Sequence, residues 1–368
     1  MIKVIEVSSD TNIGGAGKCV LTLLENFDYK SFSVKVVLPE NSLLKPQVEA
    51  LGIEVIEAAG IADKSLDRSA IKTLREIFKR ERPDIVHTHG SMSARIAARQ
   101  AGAKVVFTRH SVFDPSPRIS KGAGKIINGL VNSYYADGII AVAEAAKENL
   151  IATGVPEKKI RVILNGVKGL TRADEKEHAA IRKRFGAGNG KVVSIVARLE
   201  DIKGHEYFIE AADMLLKDGI DAKFFIAGTG SHEQALKEKV HGLGRENDII
   251  FTGFISDVDK LMNITDVQVN ASYGTEATSL ALLEGMSIGV PAVVSDFGGN
   301  PGVIKNGVNG FIVPKRNSRE LYMKLKELLS NERIYKKLSD GAVDIFRKNF
   351  TARAMTEQTE NLYKELVR

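Results

Sequence analysis

Residues Thr275 to Ile304 read TEATSLALLEGMSIGVPAVVSDFGGNPGVI, and this stretch sets the architecture of the second half of the chain. It predicts a nearly all-apolar helix followed by a buried, β-branched strand. Glu284 lies inside that helix, and Glu276 lies just before it. Because a buried carboxylate is destabilising unless hydrogen bonds satisfy it, we expect both glutamates to have specific partners.

The start of this helix suits an anion. Thr278 and Ser279 are predicted caps, and with Leu280 they place backbone N–H groups and the positive end of the dipole at the helix mouth. Glu284 lies roughly 9 Å further along the axis, where it can accept hydrogen bonds from hydroxyls. A phosphate at the mouth and a polyol beside the helix together describe a sugar nucleotide. The alternative is a core helix whose Glu meets a structural Arg or backbone amides.

Composition limits the class of protein. The 368 residues are 43% hydrophobic and 27% charged, which is typical of a globular chain with two domains. No apolar run reaches the roughly 18 residues of a membrane span, and no signal-peptide pattern is present. The single cysteine, Cys19, excludes an internal disulfide framework and favours a cytoplasmic setting.

The excess positive charge lies in the first half. Residues 1–168 hold 24 Lys and Arg against 18 Asp and Glu, whereas residues 169–368 hold 28 of each. This asymmetry favours an anionic partner for the first half, either a membrane surface or an acidic acceptor; solubilising charge is the alternative. Nucleic acid is not favoured, because the chain has no Trp and no aromatic RNA-binding pattern.

Two series of short β-branched runs alternate with helical patterns. The first series predicts strands at Lys3–Val7, Ser33–Leu38, Glu54–Ile56, Ile85–Thr88, Lys104–Thr108, Gly138–Val142 and Arg161–Ile163. The second predicts strands at Val192–Ala197, Lys223–Ala227, Ile249–Phe251, Val267–Asn270 and Ala292–Ser295. Such alternation indicates parallel sheets covered on both faces. We expect two doubly wound domains, residues 1–168 and 169–350, a polar linker over 169–176, and helices from 318 to 367 with a break near 349–351.

A glycine-rich turn, NIGGAGKCV, follows the first strand. It fails the Walker pattern, which needs Gly at position 12 and Ser or Thr at 19, and the dinucleotide pattern, which needs Gly or Ala at 20. Two interpretations remain: a turn whose backbone passes close to a ligand at Gly15, or a tight turn without function.

Histidines stand at two successive strand ends. His87 and His89 share one face of a strand, and His110 closes the next strand beside Arg109. No third ligand is evident near the first pair, so we expect no metal site there. We predict that one or both of this pair, and His110, line a ligand cleft; packed core histidines are the alternative.

Two cations follow the first strand of the second series, in VARLEDIKGHE. Arg198 can bind a diphosphate through two parallel N–H groups of its planar guanidinium, and Lys203 can neutralise it as a point charge. The pattern by itself is common on protein surfaces. It gains meaning because the turn lies at the same predicted sheet edge as Glu276.

A basic amphipathic stretch, RISKGAGKIINGLVNSYY, covers residues 118–135. Its alternation of cations and apolar residues can lie on an anionic membrane. The more frequent arrangement is a domain helix with its apolar face turned inward, and this is the one that we favour.

In order, SSDTNIGGAGK, DIVHTHG, FTRH, NGV, VARLEDIKG, TGF and the Glu276–Glu284 pair resemble the retaining glycosyltransferases of family 4. The resemblance spans about residues 1–350. It implies the α/β fold called GT-B, in which two doubly wound, Rossmann-like parallel-sheet domains face a cleft. The first domain would bind the acceptor and the second the nucleotide sugar, with a last helix, about 351–368, packed back on the first.

The resemblance also implies roles for residues of the second domain. Glu284 would hold the nucleotide ribose, and Glu276 would hold the donor sugar. Arg198 and Lys203 would neutralise the diphosphate together with the N–H groups at the helix mouth, without a divalent metal. Retention would follow from same-face attack, with the departing phosphate helping to take the proton of the acceptor.

In the first domain, Gly15 would border the diphosphate and His110 would lie near the reacting sugar carbon. His87, His89 and Arg109 are the candidates for the acceptor side. The implied donor is a nucleotide-diphosphate sugar, with UDP favoured, and the implied acceptor is a sugar or a lipid-linked glycan.

Two departures from the family pattern leave the donor sugar open: Ala277 where Gly is frequent and Gly302 where Glu is frequent. A nucleotide-sugar epimerase on the same fold and a non-catalytic sugar-nucleotide-binding scaffold are the alternative functions.

Overall fold

The computed structural model describes residues 1–62, 65–113 and 115–368. The chain divides into two compact units, the first made of Met1–Val167 and Thr351–Arg368 and the second of Lys168–Phe350. Among the described residues, every helix is too short or too polar to cross a membrane.

The first unit is built on a seven-stranded sheet. Its strands are β1 (Ile2–Ser8), β2 (Phe32–Pro39), β3 (Val55–Ala58), β4 (Ile85–His89), β5 (Lys104–Arg109), β6 (Gly138–Ala141) and β7 (Ile160–Val162). Its helices are α1 (Gly15–Asn26), α2 (Lys45–Ala50), α3 (Arg68–Glu81), α4 (Met92–Ala101), α5 (Pro117–Ser120), α6 (Gly122–Tyr134) and α7 (Glu144–Ala152). All strands are parallel, in the order β3-β2-β1-β4-β5-β6-β7.

The second unit repeats the plan with six parallel strands. They are β8 (Lys191–Val196), β9 (Ala222–Ala227), β10 (Ile249–Gly253), β11 (Val267–Asn270), β12 (Ala292–Ser295) and β13 (Gly310–Val313). The helices are α8 (Glu175–Phe185), α9 (His205–Lys217), α10 (Glu233–Leu243), α11 (Val258–Ile264), α12 (Leu280–Ser287), α13 (Asn300–Val303), α14 (Ser318–Ser330) and α15 (Glu332–Asn349). The strand order is β10-β9-β8-β11-β12-β13.

In both sheets the order of the strands reverses at one point. That point lies between β1 and β4 in the first unit and between β8 and β11 in the second. Open α/β sheets bind ligands outside the carboxyl ends of the strands at this switch point. The topology therefore marks one edge of each unit as the place to look for a site.

The chain returns to the first unit as α16 (Ala352–Val367). Leu362 and Tyr363 of α16 are buried in the same core cluster as Val20 and Leu24 of α1. The return depends on Gly166, because a Cβ at that position would lie 2.2 Å from the carbonyl oxygen of Thr351. A larger residue in this NGV turn would force the two backbone segments apart.

The sequence prediction located the sheets well and the boundaries less well. Every predicted strand is found within two residues of its bounds, but β13 was missed because it is short and begins at a glycine. The segment 169–176 is not a free linker: the backbone N–H of Leu170 donates to Ser287 Oγ at 2.8 Å, and α8 begins at Glu175. A further helix break occurs at Asn331, whose side chain caps α15.

Candidate functional site

Lys203 and Glu276 meet at the switch point of the second unit. Lys203 ends a short turn after β8, and Glu276 lies in the loop between β11 and α12. The Nζ of Lys203 lies 3.1 Å from Oε2 of Glu276 and 2.8 Å from the carbonyl oxygen of Thr275. Gly204 permits this approach, because its φ is +70° and a Cβ there would lie 2.2 Å from the Ala271 oxygen. The two side chains, expected at different parts of a ligand, are paired with each other in the structure.

The Glu276 carboxylate is held through one of its oxygens. Asn270 Nδ2 and Ser272 Oγ donate to Oε2 at 3.0 and 3.1 Å, in addition to Lys203. The Lys203 and Glu276 side chains are only 12% and 9% exposed. Within the described part of the chain, Oε1 has no hydrogen-bond partner, so this oxygen is the one that can accept from a ligand hydroxyl. Neither Asn270 nor Ser272 was anticipated, although Asn270 ends a predicted strand and Ser272 follows it closely.

The α12 helix begins at Leu280, which confirms Ser279 as its cap and leaves Thr278 outside the cap position. Ser279 is the N-cap, and its Oγ accepts from the N–H of Leu282 at 3.4 Å; Thr278 precedes the cap. The backbone N–H groups that begin at Leu280 therefore form the helix mouth. Glu284 is half-buried on the same face as Leu280, so the prediction that this carboxylate is buried was wrong. The half-exposed face is the one that can line a ligand.

Arg198 lies at the same edge of the sheet, two residues after β8. Its side chain is 70% exposed, and its guanidinium is 3.5 Å from Glu200 Oε1. The loop after β9 packs closely on the turn that carries Arg198: a Cβ at Gly228 would lie 2.1 Å from the Ala197 carbonyl oxygen. Gly228 was not anticipated, and its signal was the GTG triplet that follows a predicted strand.

A buried carboxylate, Glu6, occupies the switch point of the first unit. In the β1–β4 register Glu6 pairs with His87, and Ser8 pairs with His89. His89 Nε2 lies 2.8 Å from Glu6 Oε2, and the Tyr363 hydroxyl donates to Glu6 Oε1 at 2.8 Å. Burial raises the pKa of Glu6, but its close interactions with His87 and His89 outweigh burial and lower the pKa well below its usual range. Glu6 is therefore ionised.

His87 does not line a cleft, which corrects the prediction for this residue. It is completely buried, with Nδ1 2.6 Å from the Tyr363 hydroxyl and Nε2 2.6 Å from Thr108 Oγ1. His89 is buried as well, and its Nδ1 lies 2.8 Å from Nε2 of His110. The core-histidine alternative therefore holds for the first pair.

His110 is the least buried member of this cluster. It is half-buried, and its ring stacks on that of His89 with centroids 5.1 Å apart. Burial, reinforced by the neighbouring histidines, lowers the pKa of His110 well below its ordinary value. Burial likewise lowers the pKa of His89. Both imidazoles are therefore neutral at physiological pH.

Glu6, His87 and His89 could geometrically hold a metal ion, since their donor atoms lie within 4.8 Å of one another. Glu6 is not visible as a third ligand in the sequence, because it lies on another strand and joins the pair only through β1–β4 pairing. The donor atoms already satisfy one another by hydrogen bonds. The cluster is thus complete as a hydrogen-bonded network.

Gly15 and Arg109 lie apart from this network. Gly15 is the first residue of α1, and a Cβ built on it meets no atom within 4 Å. Arg109 Nε donates to the Ser111 oxygen at 3.1 Å, and its guanidinium lies 4.4 Å from the Phe113 ring centroid. Gly15 therefore faces open space, whereas Arg109 packs on its own loop.

The amphipathic helix α6 is oriented opposite to the favoured prediction. Its inward face is polar and small: Asn128 Nδ2 donates to the Thr153 oxygen at 2.6 Å, and Gly129 is buried. Its apolar side chains are about two-thirds exposed, and they are Ile126 (65%), Ile127 (60%), Leu130 (66%) and Tyr134 (63%). Arg118 and Lys121 are exposed beside this apolar face.

Two protein-family models match the chain in tandem. Residues 13–168 match the family described as Glycosyltransferase Family 4, and residues 177–344 match Glycosyl transferases group 1. The UDP-Gal:alpha-D-GlcNAc-diphosphoundecaprenol alpha-1,3-galactosyltransferase of Escherichia coli is 28% identical over 324 residues, covering 82% of this chain and 80% of that protein. The N-acetyl-alpha-D-glucosaminyl L-malate synthase of Bacillus anthracis is 22% identical over 311 residues, with the same two coverages of 82% and 80%.

The fold has a close solved counterpart in the Anabaena protein HepE in complex with UDP and glucose. The two structures superpose with a TM-score of 0.86 at 20% identity, covering 99% of this chain and 100% of that one. This likeness and the two parallel sheets confirm the predicted α/β, GT-B class with two Rossmann-like domains.

Proposed function

The chain belongs to the group 1 glycosyltransferases of family 4, and on that basis we propose that it is a retaining, metal-independent enzyme. It transfers a sugar from a nucleotide-diphosphate sugar, with UDP as the favoured base, to a sugar or lipid-linked acceptor in glycan, polysaccharide or glycolipid biosynthesis. The observation that carries the proposal is the Lys203–Glu276 pair at the switch point of the second unit, beside the mouth of α12.

The second unit binds the donor. An ammonium group has three N–H donors, and Lys203 uses two of them on Thr275 and Glu276, so the third can reach a phosphate oxygen. Arg198 and the N–H groups at the α12 mouth, near Ser279, complete the diphosphate site. Glu276 Oε1 accepts from a hydroxyl of the donor sugar, and Glu284 on the half-exposed face accepts from the ribose.

Catalysis in this proposal is mainly electrostatic. The leaving nucleoside diphosphate gains negative charge in the transition state, and Arg198, Lys203 and the α12 N–H groups are fixed positive groups that can stabilise it. This set contains enough positive charge to act without a divalent ion. The acceptor attacks from the same face, the departing phosphate takes its proton, and the anomeric configuration is retained. His110 acts at the transferred sugar, and Gly15 borders the diphosphate.

Relatives support the donor and acceptor classes. The name of the Escherichia coli relative specifies a UDP-galactose donor and an acceptor linked to diphosphoundecaprenol. HepE was solved with UDP and glucose. We therefore favour UDP-sugars and lipid-linked acceptors in the first assays.

The test combines binding and product analysis. Thermal shifts with UDP-, GDP- and ADP-sugars identify the donor, and NMR of the product made with EDTA present gives its anomeric configuration. We expect one UDP-sugar to stabilise the protein and the α-linkage of the donor to persist in the product. An inverted linkage, or activity that depends on an added divalent metal, contradicts the mechanism. Epimerised donor formed without acceptor, or binding with neither transfer nor hydrolysis, would replace the proposed function with one of its alternatives.

We also propose that the first unit works on an anionic membrane surface, at the cytoplasmic face, through α6. Outward apolar side chains such as Ile126 and Leu130 insert among lipid chains, while Arg118 and Lys121 meet anionic headgroups. The unpaired, buried Cys19 fits the reducing compartment that this placement requires.

Vesicle co-sedimentation tests the membrane proposal. We expect binding to phosphatidylglycerol vesicles, weak binding to phosphatidylcholine vesicles, and loss of binding in the Ile126→Ser/Leu130→Ser double variant. Leu43→Ser is the control, because Leu43 is 59% exposed elsewhere in the same unit. Equal binding of the double variant and the wild type would contradict a role for α6.

A further inference from the structure

The hydrogen bonds around Glu6 can be assigned direction by direction. An ionised carboxylate only accepts, so His89 must donate to Oε2 from a protonated Nε2, and the Tyr363 hydroxyl must donate to Oε1. A neutral imidazole carries one N–H, so the Nδ1 of His89 is then an acceptor. The atom facing that acceptor at 2.8 Å is Nε2 of His110, which must therefore carry the proton.

The second branch of the network closes on itself. Tyr363 donates to Glu6, so its oxygen accepts from His87 Nδ1 at 2.6 Å. On the other side of the ring, His87 Nε2 lies 2.6 Å from the Thr108 hydroxyl oxygen, which can donate or accept. His87 Nδ1 also lies 3.3 Å from Glu6 Oε1, and none of these contacts involves His89 or His110. The direction assigned to the His89 branch is therefore independent of His87.

Glu6 has no ordinary structural reason to be ionised in the core. Its side chain is completely buried, and within the described ranges the basic groups that reach it are the imidazoles of His87 and His89, with no Lys or Arg. A buried anion without a fixed cation is destabilising, and such groups are concentrated at functional sites. The branch through His89 ends at His110, which is the least buried residue of the network.

We propose that Glu6, acting through His89, is a positioning residue that holds the ring of His110 in one tautomer, with Nε2 protonated and Nδ1 carrying the lone pair. The inference rests on the proposed function, in which His110 acts at the transferred sugar. There, Nδ1 accepts a hydrogen bond from a substrate hydroxyl. Tyr363 fixes the rotamer of the carboxylate from α16, so the last helix of the chain contributes to the site. We call the hydrogen-bonded series Glu6–His89–His110 the relay.

The first test observes the tautomer directly and needs no enzymatic activity. Nitrogen NMR of the full-length protein with isotope-labelled histidine, assigned by the His110→Gln spectrum, distinguishes the two neutral tautomers. We expect the Nε2–H form of His110 alone at neutral pH, and a mixture of tautomers in Glu6→Gln. A wild-type His110 in the Nδ1–H form or in a mixture, or a spectrum that Glu6→Gln leaves unchanged, would overturn the relay.

The second test separates positioning from simple stability. We expect Glu6→Gln and Tyr363→Phe to lower kcat about tenfold or more with little change in the donor KM, because orientation of an acid–base group acts mainly on the transition state. The matched control is Glu360→Gln, since Glu360 is also a buried carboxylate of the first unit and accepts from the Asp28 N–H at 2.7 Å outside the relay. The control should retain wild-type kcat.

A double variant tests whether the effect of Glu6 on kcat depends on His110. In a His110→Ala background the relay has nothing to position, so adding Glu6→Gln should change the residual kcat less than about twofold. A further tenfold loss would show that Glu6 acts structurally and would overturn the proposal. Metal analysis of the purified protein adds an independent outcome, because stoichiometric zinc at Glu6 would replace the hydrogen bonds assigned above. The NMR result stands even if no sugar transfer is found, so failure of the relay and failure of the proposed function remain distinguishable.

Discussion

Lys203 shows how one side chain can be structural and functional at once. Its ammonium group ties Glu276 to the backbone of Thr275, so it fixes the loop before α12 as well as carrying charge. Removing it leaves a nearly buried carboxylate with two neutral donors, from Asn270 and Ser272. An uncompensated buried charge is destabilising, and the loop is therefore expected to shift in any Lys203 variant.

We predict that Lys203→Ala lowers kcat/KM for sugar transfer by about tenfold to a hundredfold, the usual effect of losing a hydrogen bond to a charged group. Initial rates at several donor concentrations measure this. Lys217→Ala is the control, because Lys217 is 64% exposed and pairs with Asp213 on the surface of the same unit. Near-normal transfer by Lys203→Ala, with the control also normal, would remove this lysine from the site.

A substitution at Gly15 can change donor binding without changing the stability of the fold. A Cβ at this position meets no atom within 4 Å in the protein, so Gly15→Ala should leave the melting temperature unchanged or slightly raised. If the diphosphate passes close to the backbone here, the added methyl group lies in its path and the donor KM rises. Thermal unfolding and donor titration test both parts. An unchanged KM would assign this glycine to the turn alone.

The site residues that the sequence could predict are those that follow strands in loops. Lys203 and Glu276 were identified as candidates because charged residues at the carboxyl ends of strands are adjacent in space. Glu6 was overlooked, although a carboxylate within the apolar run of β1 was a visible signal. Tyr363 could not be found, since its contact with Glu6 spans 357 residues and depends on the packing of α16.

Among the helices, α6 shows the limit of periodicity as a predictor. The apolar face was evident in the sequence, but its direction depends on which face fits the neighbouring chain. The polar face turns inward because Gly129 packs on the backbone of Gly154 and Asn128 bonds Thr153. Amphipathicity predicts a helix and a two-sided surface, and only tertiary contacts determine which side is covered.

We predict that Gly129→Ala destabilises the protein by about 1–3 kcal/mol, because the new Cβ overpacks a site without space. Its Cβ would lie 2.1 Å from the Gly154 oxygen, which belongs to rigid backbone. Gly242→Ala, within α10, is the matched control: no atom lies within 4 Å of its Cβ, and alanine favours a helix interior. Urea unfolding should show loss of stability for the first variant and none for the second. Equal stabilities would mean that α6 does not pack through Gly129.

For the whole molecule, the repeated topology explains why the fold was predictable. Each unit places its candidate site where the strand order reverses, so the same alternation of strands and helices predicts both architecture and site. The chemistry of the two sites differs: the second unit gathers an ion pair and a helix mouth, and the first a neutral histidine pair on a buried anion. The Lys203–Glu276 pair could be predicted although 73 residues separate its members, because both lie in loops at strand ends, whereas Glu6 lies inside β1 and joins the histidines only through strand pairing.

The buried histidines predict how stability depends on pH. Burial, helped by the charges of Lys203 and His232, lowers the pKa of His205 to about 4, and burial lowers the pKa of His89 and of His110 as well. A histidine whose pKa is lower in the folded state binds more protons when unfolded, so its contribution is lost as pH falls through about 6.5. For His205 the loss at pH 5 is about 2 kcal/mol, at about 1.36 kcal/mol per pH unit. We expect urea midpoints to fall steadily from pH 7 to pH 5.

The His205→Leu variant isolates one of these contributions. Both ring nitrogens of His205 are buried without a hydrogen-bond partner within the described residues, so leucine removes the titration without breaking a bond. The fall in stability of the second unit between pH 7 and pH 5 should then shrink, whereas His241→Leu, at a side chain 82% exposed, should leave it unchanged. If the wild type were equally stable at both pH values, the buried histidines would have to accept protons without unfolding. The neutral state assigned to the pair in the first unit would then fail as well.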